Sequence, residues 1–201
     1  MSPIFAERVV PLFGGSQVSG GRFPTRNELV QEWRLKRHLL MTAAIQAERW
    51  GYSYRNVPKR YGTAFLAYRS AERPEDRTGI FSGWNCTFRH RPKDATWPKP
   101  CSERAGKDAA FGAGFDFLFG FMTYSNNFQA DDISGEFCDV QHPCHECKQM
   151  LEPIMSPAAP VSLFRDRLPC DFDEPGDERF VIREMTFGES LRTHKFKTGQ
   201  R

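Results

Sequence analysis

Apolar positions recur along this chain with two periods, and the switches between them mark the elements. Behind Thr25-Arg26-Asn27-Glu28, a capping box, Leu29, Val30, Trp33, Leu40, Ala43, Ala44 and Ala47 fall at helical spacing as far as Trp50, and Gly51 is a stop. One helix is predicted over 25–50. Residues 61–68 are mostly apolar and predict a strand buried on both faces; 79–88 predict a second, joined to it through a charged turn at 70–77. A polar, Pro-rich loop follows over 90–100, whose Trp97 either covers a pocket mouth or packs on the rim of the core. A helix is predicted from Cys101 through Ala105, Ala109, Ala110 and Phe111 to the glycines at 112 and 114. Beyond it the pattern predicts a third buried strand over 116–124, an acidic loop over 125–142 and a helix from Cys144 to about Met155. A fourth strand over 160–166, an acidic loop over 168–178, a fifth strand over 179–184 and a short helix over 186–193 complete the chain. That order predicts an α/β fold, a mixed sheet with helices on both faces. Gly14, Gly15, Gly20, Gly21 and Pro24 break all periodicity, so residues 1–24 read as an irregular arm and 25–201 as one domain.

Composition narrows the classes. At 201 residues, 39% of them hydrophobic and 13% aromatic, the chain can bury a core. Its net charge of +3 is too mild to argue for nucleic acid by itself. There is no run of about 18 apolar residues and no basic start with an unbroken apolar stretch, so neither a membrane span nor a signal peptide is expected. The basic cluster Arg34, Lys36, Arg37 and His38 reads as a solvated helix face or as a phosphate contact.

The chemistry concentrates at Pro143-Cys144-His145-Glu146-Cys147. Two thiols three positions apart at a helix start can face one metal, because the helix N-terminus favours thiolate over thiol. Pro143 suits the first turn, where its missing N–H costs nothing. Alone, this pair reads as half a zinc ribbon, a redox pair or coincidence. Upstream, Pro100-Cys101-Ser102-Glu103 supplies a further thiol and a carboxylate two residues from it. A ligand-x-Glu followed by Pro-Cys-x-x-Cys is the signature of zinc-dependent base deaminases. Three protein ligands leave one zinc position open, where water becomes acidic enough to yield hydroxide near neutral pH. A carboxylate beside the metal that need not bind it can carry protons. Cys101, Cys144 and Cys147 are therefore expected as Zn2+ ligands and Glu103 as the proton shuttle. His142 and His145 are alternative donors; His145 is expected to point away, and a contact from His142 to the metal's surroundings or the substrate is the minority reading. Cys86 and Cys170 have no partner at metal spacing, and Cys138, near the end of the acidic loop, reads as packing rather than as a ligand.

With these residues in register, the chain resembles the cytidine deaminase family, in particular its small homotetrameric nucleoside enzymes with three cysteine ligands, over residues 40–196. CSERAGKDAAF resembles that family's Cys-Ala-Glu-Arg helix and PCHECKQML its Pro-Cys-x-x-Cys-Arg-Gln helix. Gly83-Trp84-Asn85 is similar to its Gly-x-Asn, and the tail from Met185 to Leu191, with Phe196, to its Thr-x-x-Glu-Leu-Leu end. The resemblance implies a three-layer α/β/α sandwich around a five-stranded mixed sheet and hydrolytic conversion of cytosine to uracil with release of ammonia. It implies substrate contacts at Asn85, Ser102, Thr87, Lys59 and Pro143, charge balance at the metal from Arg104 and Lys148, and an inter-subunit contact from Phe196.

The departures bear on substrate. Thr87 stands where the family has a ribose-binding Glu, Lys59 where it stacks a Phe on the pyrimidine, and Lys148 where it carries Arg. Lysine supplies charge but no two-pronged hydrogen bond. Lys59 and Arg60 read either as contacts to a phosphate, carboxylate or modified nucleoside, or as surface charges before a strand. The expected substrate is cytidine, deoxycytidine or a modified cytosine nucleoside, turned over by a homo-oligomer (tetramer or dimer) in the cytoplasm, where thiols stay reduced. The alternatives are a deaminase of single-stranded nucleic acid, against which the acids Asp131, Asp132, Asp171, Asp173 and Glu174 count, and a non-catalytic zinc-binding relative, against which Glu103 counts.

Overall fold

The computed structural model describes residues 21–53, 60–87, 101–126, 140, 142–169, 171 and 173–192. Residues 1–20 of the expected arm, Lys59, Trp97, Asp131, Asp132, Cys138, Cys170 and Phe196 lie outside the described residues. The segment before the first helix already touches the domain, since the Arg22 N–H donates to the Ala71 carbonyl at 3.3 Å.

The capping box forms as read. The Thr25 hydroxyl accepts from the Glu28 N–H and the Glu28 carboxylate accepts from the Thr25 N–H at 2.6 Å. The helix behind it is two helices rather than one: α1 (Arg26–Leu35) and α2 (Arg37–Trp50) meet at Lys36, whose φ of −89° and ψ of 4° are not helical. Lys36 is held from outside the helix by Thr78, whose Oγ1 accepts from its Nζ at 2.8 Å, while the same Nζ pairs with Glu32 of α1 at 2.7 Å. Helical periodicity continues across such a turn, so the break is invisible in the pattern.

A two-residue strand β1 (Tyr52–Ser53), absent from the expectations, precedes β2 (Gly62–Tyr68) and β3 (Thr78–Trp84). The predicted second strand ends early. At Asn85 the side-chain Oδ1 accepts the Tyr61 N–H at 2.7 Å, in the place where a backbone carbonyl would continue the ladder. Beyond it β4 (Cys86–Thr87) leaves the sheet and pairs in parallel with β1. Then follow α3 (Ser102–Gly112), β5 (Phe117–Tyr124), α4 (His145–Leu151), β6 (Pro160–Asp166), β7 (Phe180–Thr186) and α5 (Phe187–Arg192). α4 is shorter than expected, since Pro153 has no N–H to extend it.

The five long strands form one mixed sheet in the order β3-β2-β5-β6-β7, with β5 and β6 parallel and the other neighbours antiparallel. Alternation along the strands divides the core in two. Ala64, Leu66, Met122 and Phe164 face α1 and α2, joining Trp33, Leu40 and Ala44. Phe65, Phe121, Val161 and Leu163 face the other way and join Ala110 of α3, Leu151 of α4 and Phe187 of α5. The result is the expected α/β/α sandwich. Strict alternation would turn Leu118 and Phe121 to opposite faces, but a shift in the β2–β5 register places one extra residue, Phe119, against the Leu66–Ala67 step. Both side chains therefore reach the same cluster, and Phe119 turns to the other one. Among the described residues, no helix is long and apolar enough to cross a membrane.

Candidate active site

Two helix N-termini converge at one edge of the sheet. Cys101 is the N-cap of α3, Cys144 the N-cap of α4, and Cys147 lies in the first turn of α4. The approach of α3 depends on a missing side chain. A Cβ on Gly83 of β3 would lie 2.2 Å from the Gly106 N–H nitrogen and 2.5 Å from the Ser102 carbonyl, so only glycine lets the helix lie this low. That contact sets Cys101 and Glu103 against the strand ends.

The three Sγ atoms lie within 4.8 Å of one another, and those of Cys101 and Cys144 are 3.7 Å apart. Zinc–sulfur bonds of about 2.3 Å at tetrahedral angles put two sulfurs about 3.8 Å apart, so the donor set fits a zinc ion. The thiols' mutual influence agrees with this. Contact with Cys144 pushes the Cys101 thiol up to about 12, and contacts with Cys101 and Cys144 push the Cys147 thiol up as well. Such donors ionise together only against a shared cation. Cys147 is fully buried, Cys101 nearly so and Cys144 partly exposed, which leaves the cluster open on the Cys144 side.

Glu103 sits in the first turn of α3, where a carboxylate is favoured by the helix dipole, yet it is only 6% exposed. Its Oε2 accepts from the Cys147 Sγ at 3.4 Å and from the Ser102 Oγ at 3.2 Å. Burial raises the carboxyl above its ordinary range, and the nearby Cys144 charge adds to the effect. Beneath Ser102 lie two residues to which the sequence reading gave no role. Thr63 Oγ1 is 2.8 Å from Ser102 Oγ and 3.1 Å from Thr123 Oγ1. Thr63 and Thr123 are direct cross-strand partners, and Thr63 also pairs with Gly83. The row that lets α3 approach therefore supplies hydroxyls to its first turn. The available signal was one hydroxyl at the start of one apolar strand and one at the end of another.

The other expected residues separate. Asn85 is buried near this edge, its Oδ1 engaged by the Tyr61 N–H. The Ser102 hydroxyl is fully buried and turned inward. Pro143 is buried beside Cys144, while Thr87 is described in its backbone alone. Lys148 is 5% exposed and its Nζ donates to the Ser190 carbonyl of α5; burial lowers its pKa, and the Cys144 charge works against that. Arg104 is partly buried, and its Nε has no hydrogen-bond partner among the described residues. His145 is exposed, as expected, and the metal-binding group consists of the three cysteines. Within the basic cluster, Lys36 pairs with Glu32 and Arg37 with Glu184, which weakens the phosphate-contact reading of that face.

No protein-family model matches the chain, and no curated protein matches it. Solved structures do. A cytidine deaminase from Burkholderia pseudomallei matches 76% of this chain and 94% of its own, at 20% identity and a TM-score of 0.50. A cytidine deaminase from Mycobacterium leprae matches 62% and 84%, at 21% identity and a TM-score of 0.42. One from Mycobacterium tuberculosis matches 78% and 94%, at 17% identity and a TM-score of 0.46. The first match shows a shared fold.

Proposed function

We propose that this chain, which has the fold of the cytidine deaminases and a three-cysteine cluster fit for zinc, is a divergent hydrolytic deaminase of a cytosine nucleoside. One observation carries the reading: a buried carboxylate, Glu103, lies 3.4 Å from the Sγ of Cys147. A zinc site that only holds a fold together has no use for an acid there.

In this reading Cys101, Cys144 and Cys147 hold the ion. When bound, zinc supplies Lewis acidity, which brings the pKa of water near neutral. Glu103 takes a proton from the attacking water and delivers it to the ring nitrogen, then passes a second to the departing amine. The water oxygen adds to the carbon bearing the exocyclic nitrogen, that carbon–nitrogen bond breaks, and ammonia leaves. The inward-turned hydroxyl leaves Ser102 its backbone N–H, at the free start of α3, to meet a substrate oxygen. Asn85, Thr87, Lys59 and Pro143 complete the substrate side of the reading, and burial of Asn85 and Pro143 beside the site supports their part. Lys148 and Arg104 offset the negative charge of three thiolates. A homo-oligomer with Phe196 at a subunit boundary, working in a reducing cytoplasm, belongs to the same proposal.

The test is ammonia release by zinc-loaded protein from cytidine, deoxycytidine, their monophosphates and a cytosine-containing single strand, with Glu103→Ala as control. Turnover of a free nucleoside, reduced about 10²–10⁴-fold in the control with zinc retained, is the expected result. Turnover of the strand alone would replace the substrate class. Activity unchanged by Glu103→Ala would remove the mechanism.

A further inference from the structure

Three hydroxyls stand in a row beneath the glutamate, and their order is fixed by proton counting. Ser102 Oγ donates its single proton to Glu103 Oε2 at 3.2 Å. It therefore accepts from Thr63, 2.8 Å away, and Thr63, its own proton spent, accepts from Thr123 at 3.1 Å. The chain runs one way, Thr123 to Thr63 to Ser102 to Glu103. All three hydroxyl residues are 2% exposed or less. In such a setting consecutive hydrogen bonds polarise one another and an unpaired hydroxyl is costly, so the carboxylate end is held firmly. The resembled Cys-Ala-Glu-Arg helix carries Ala beside the glutamate, where this chain has Ser102. The hydroxyl relay is a property of this sequence rather than of that motif.

We infer that Thr63 and Thr123 are positioning residues for the reaction: acting through Ser102, they fix Oε2 of Glu103 so that the carboxylate is set for proton transfer. This rests on the deaminase reading above for the reaction itself, and on the hydroxyl geometry alone for the relay.

Steady-state deamination of cytidine by zinc-loaded protein tests it, using Thr63→Val, Thr63→Ser, Thr123→Val, Ser102→Ala and the Thr63→Val/Ser102→Ala double variant, each checked for zinc content. Thr63→Val and Ser102→Ala are each expected to lower kcat about tenfold with KM within about twofold, as loss of a donor to a charged group predicts. Thr63→Ser restores most of the rate. The double variant is no slower than Ser102→Ala, because Thr63 reaches Glu103 only through Ser102. An unchanged kcat in Ser102→Ala, additive losses in the double variant, or an equal loss in Thr63→Ser overturns the inference. Should Thr63→Val not fold, Ser102→Ala and Thr123→Val decide it: each is expected to lower kcat with KM within about twofold, and an unchanged kcat in either overturns the inference. Wild-type protein inactive on cytidine overturns the deaminase reading instead. The relay is then decided by NMR: the Ser102 and Thr63 hydroxyl protons are expected to be protected from exchange, with protection at Ser102 lost in Thr63→Val. Unprotected protons in the wild type overturn the relay.

Discussion

Lys148 shows how one side chain serves two elements. It lies in α4 one position after Cys147, so its ammonium remains within reach of the cluster's field, yet its Nζ is anchored on the Ser190 carbonyl of α5. The sequence placed Lys148 near the metal by motif register; the anchor on α5 was not legible, because 42 positions separate the partners. Lys148→Met keeps comparable volume and removes the charge. It is expected to weaken zinc binding about tenfold, the usual scale for residues supporting a metal's ligands, as measured by competition with a chelator. Unchanged affinity would mean that Lys148 only ties α4 to α5.

At the scale of elements, the site depends on how low α3 lies on the sheet. Gly83 of β3 meets Gly106 of α3, and a methyl group at Gly83 would sit 2.2 Å from backbone that cannot yield. Gly83→Ala is therefore expected to cost about 3 kcal/mol or more of stability and to loosen zinc as well, since Cys101 moves with its helix. Urea denaturation together with zinc titration checks this. A variant with full stability and full zinc affinity would show that α3 can rise without disturbing the cluster. The helix starts were legible element by element, because caps and prolines are local signals. The splitting of the first helix at Lys36 and of the second strand at Asn85 was not, because each is imposed by a partner elsewhere: Thr78 in one case and Tyr61 in the other.

For the molecule as a whole, the acidic loop after β6 is fastened by a buried ion pair. Arg165 Nη1 and Nη2 donate to the two carboxylate oxygens of Asp171 at 2.5 and 2.9 Å, and the Leu168 N–H adds a third bond at 2.7 Å. The Arg165 guanidinium holds the Asp171 carboxyl at about 2, below the roughly 3.9 of an unfolded chain. The depressed value means that the pair's contribution is fully present above about pH 4 and is lost as pH falls through about 2. Asp171→Asn is expected to be less stable than wild type at pH 7, with the difference shrinking between pH 4 and pH 2 in thermal unfolding. Zinc loss in acid affects both proteins alike and drops out of the difference. A gap that stays constant over that range would show that Asp171 acts by shape rather than charge.

The sequence by itself determined the fold class, the five strands and their approximate bounds, and a set of three thiols and one carboxylate that proved to be neighbours. It could do so because periodicity, caps and Cys-x-x-Cys spacing are encoded within a few residues of one another, and because the pairing of two such motifs constrains the fold that joins them. The tertiary structure decided the 3.7 Å approach of Cys101 to Cys144, the inward turn of Ser102, and the meeting of Thr63, Thr123 and Ser102 under Glu103. Those contacts join residues 39 to 60 positions apart on elements whose relative height is set by one glycine, and no local pattern records a height.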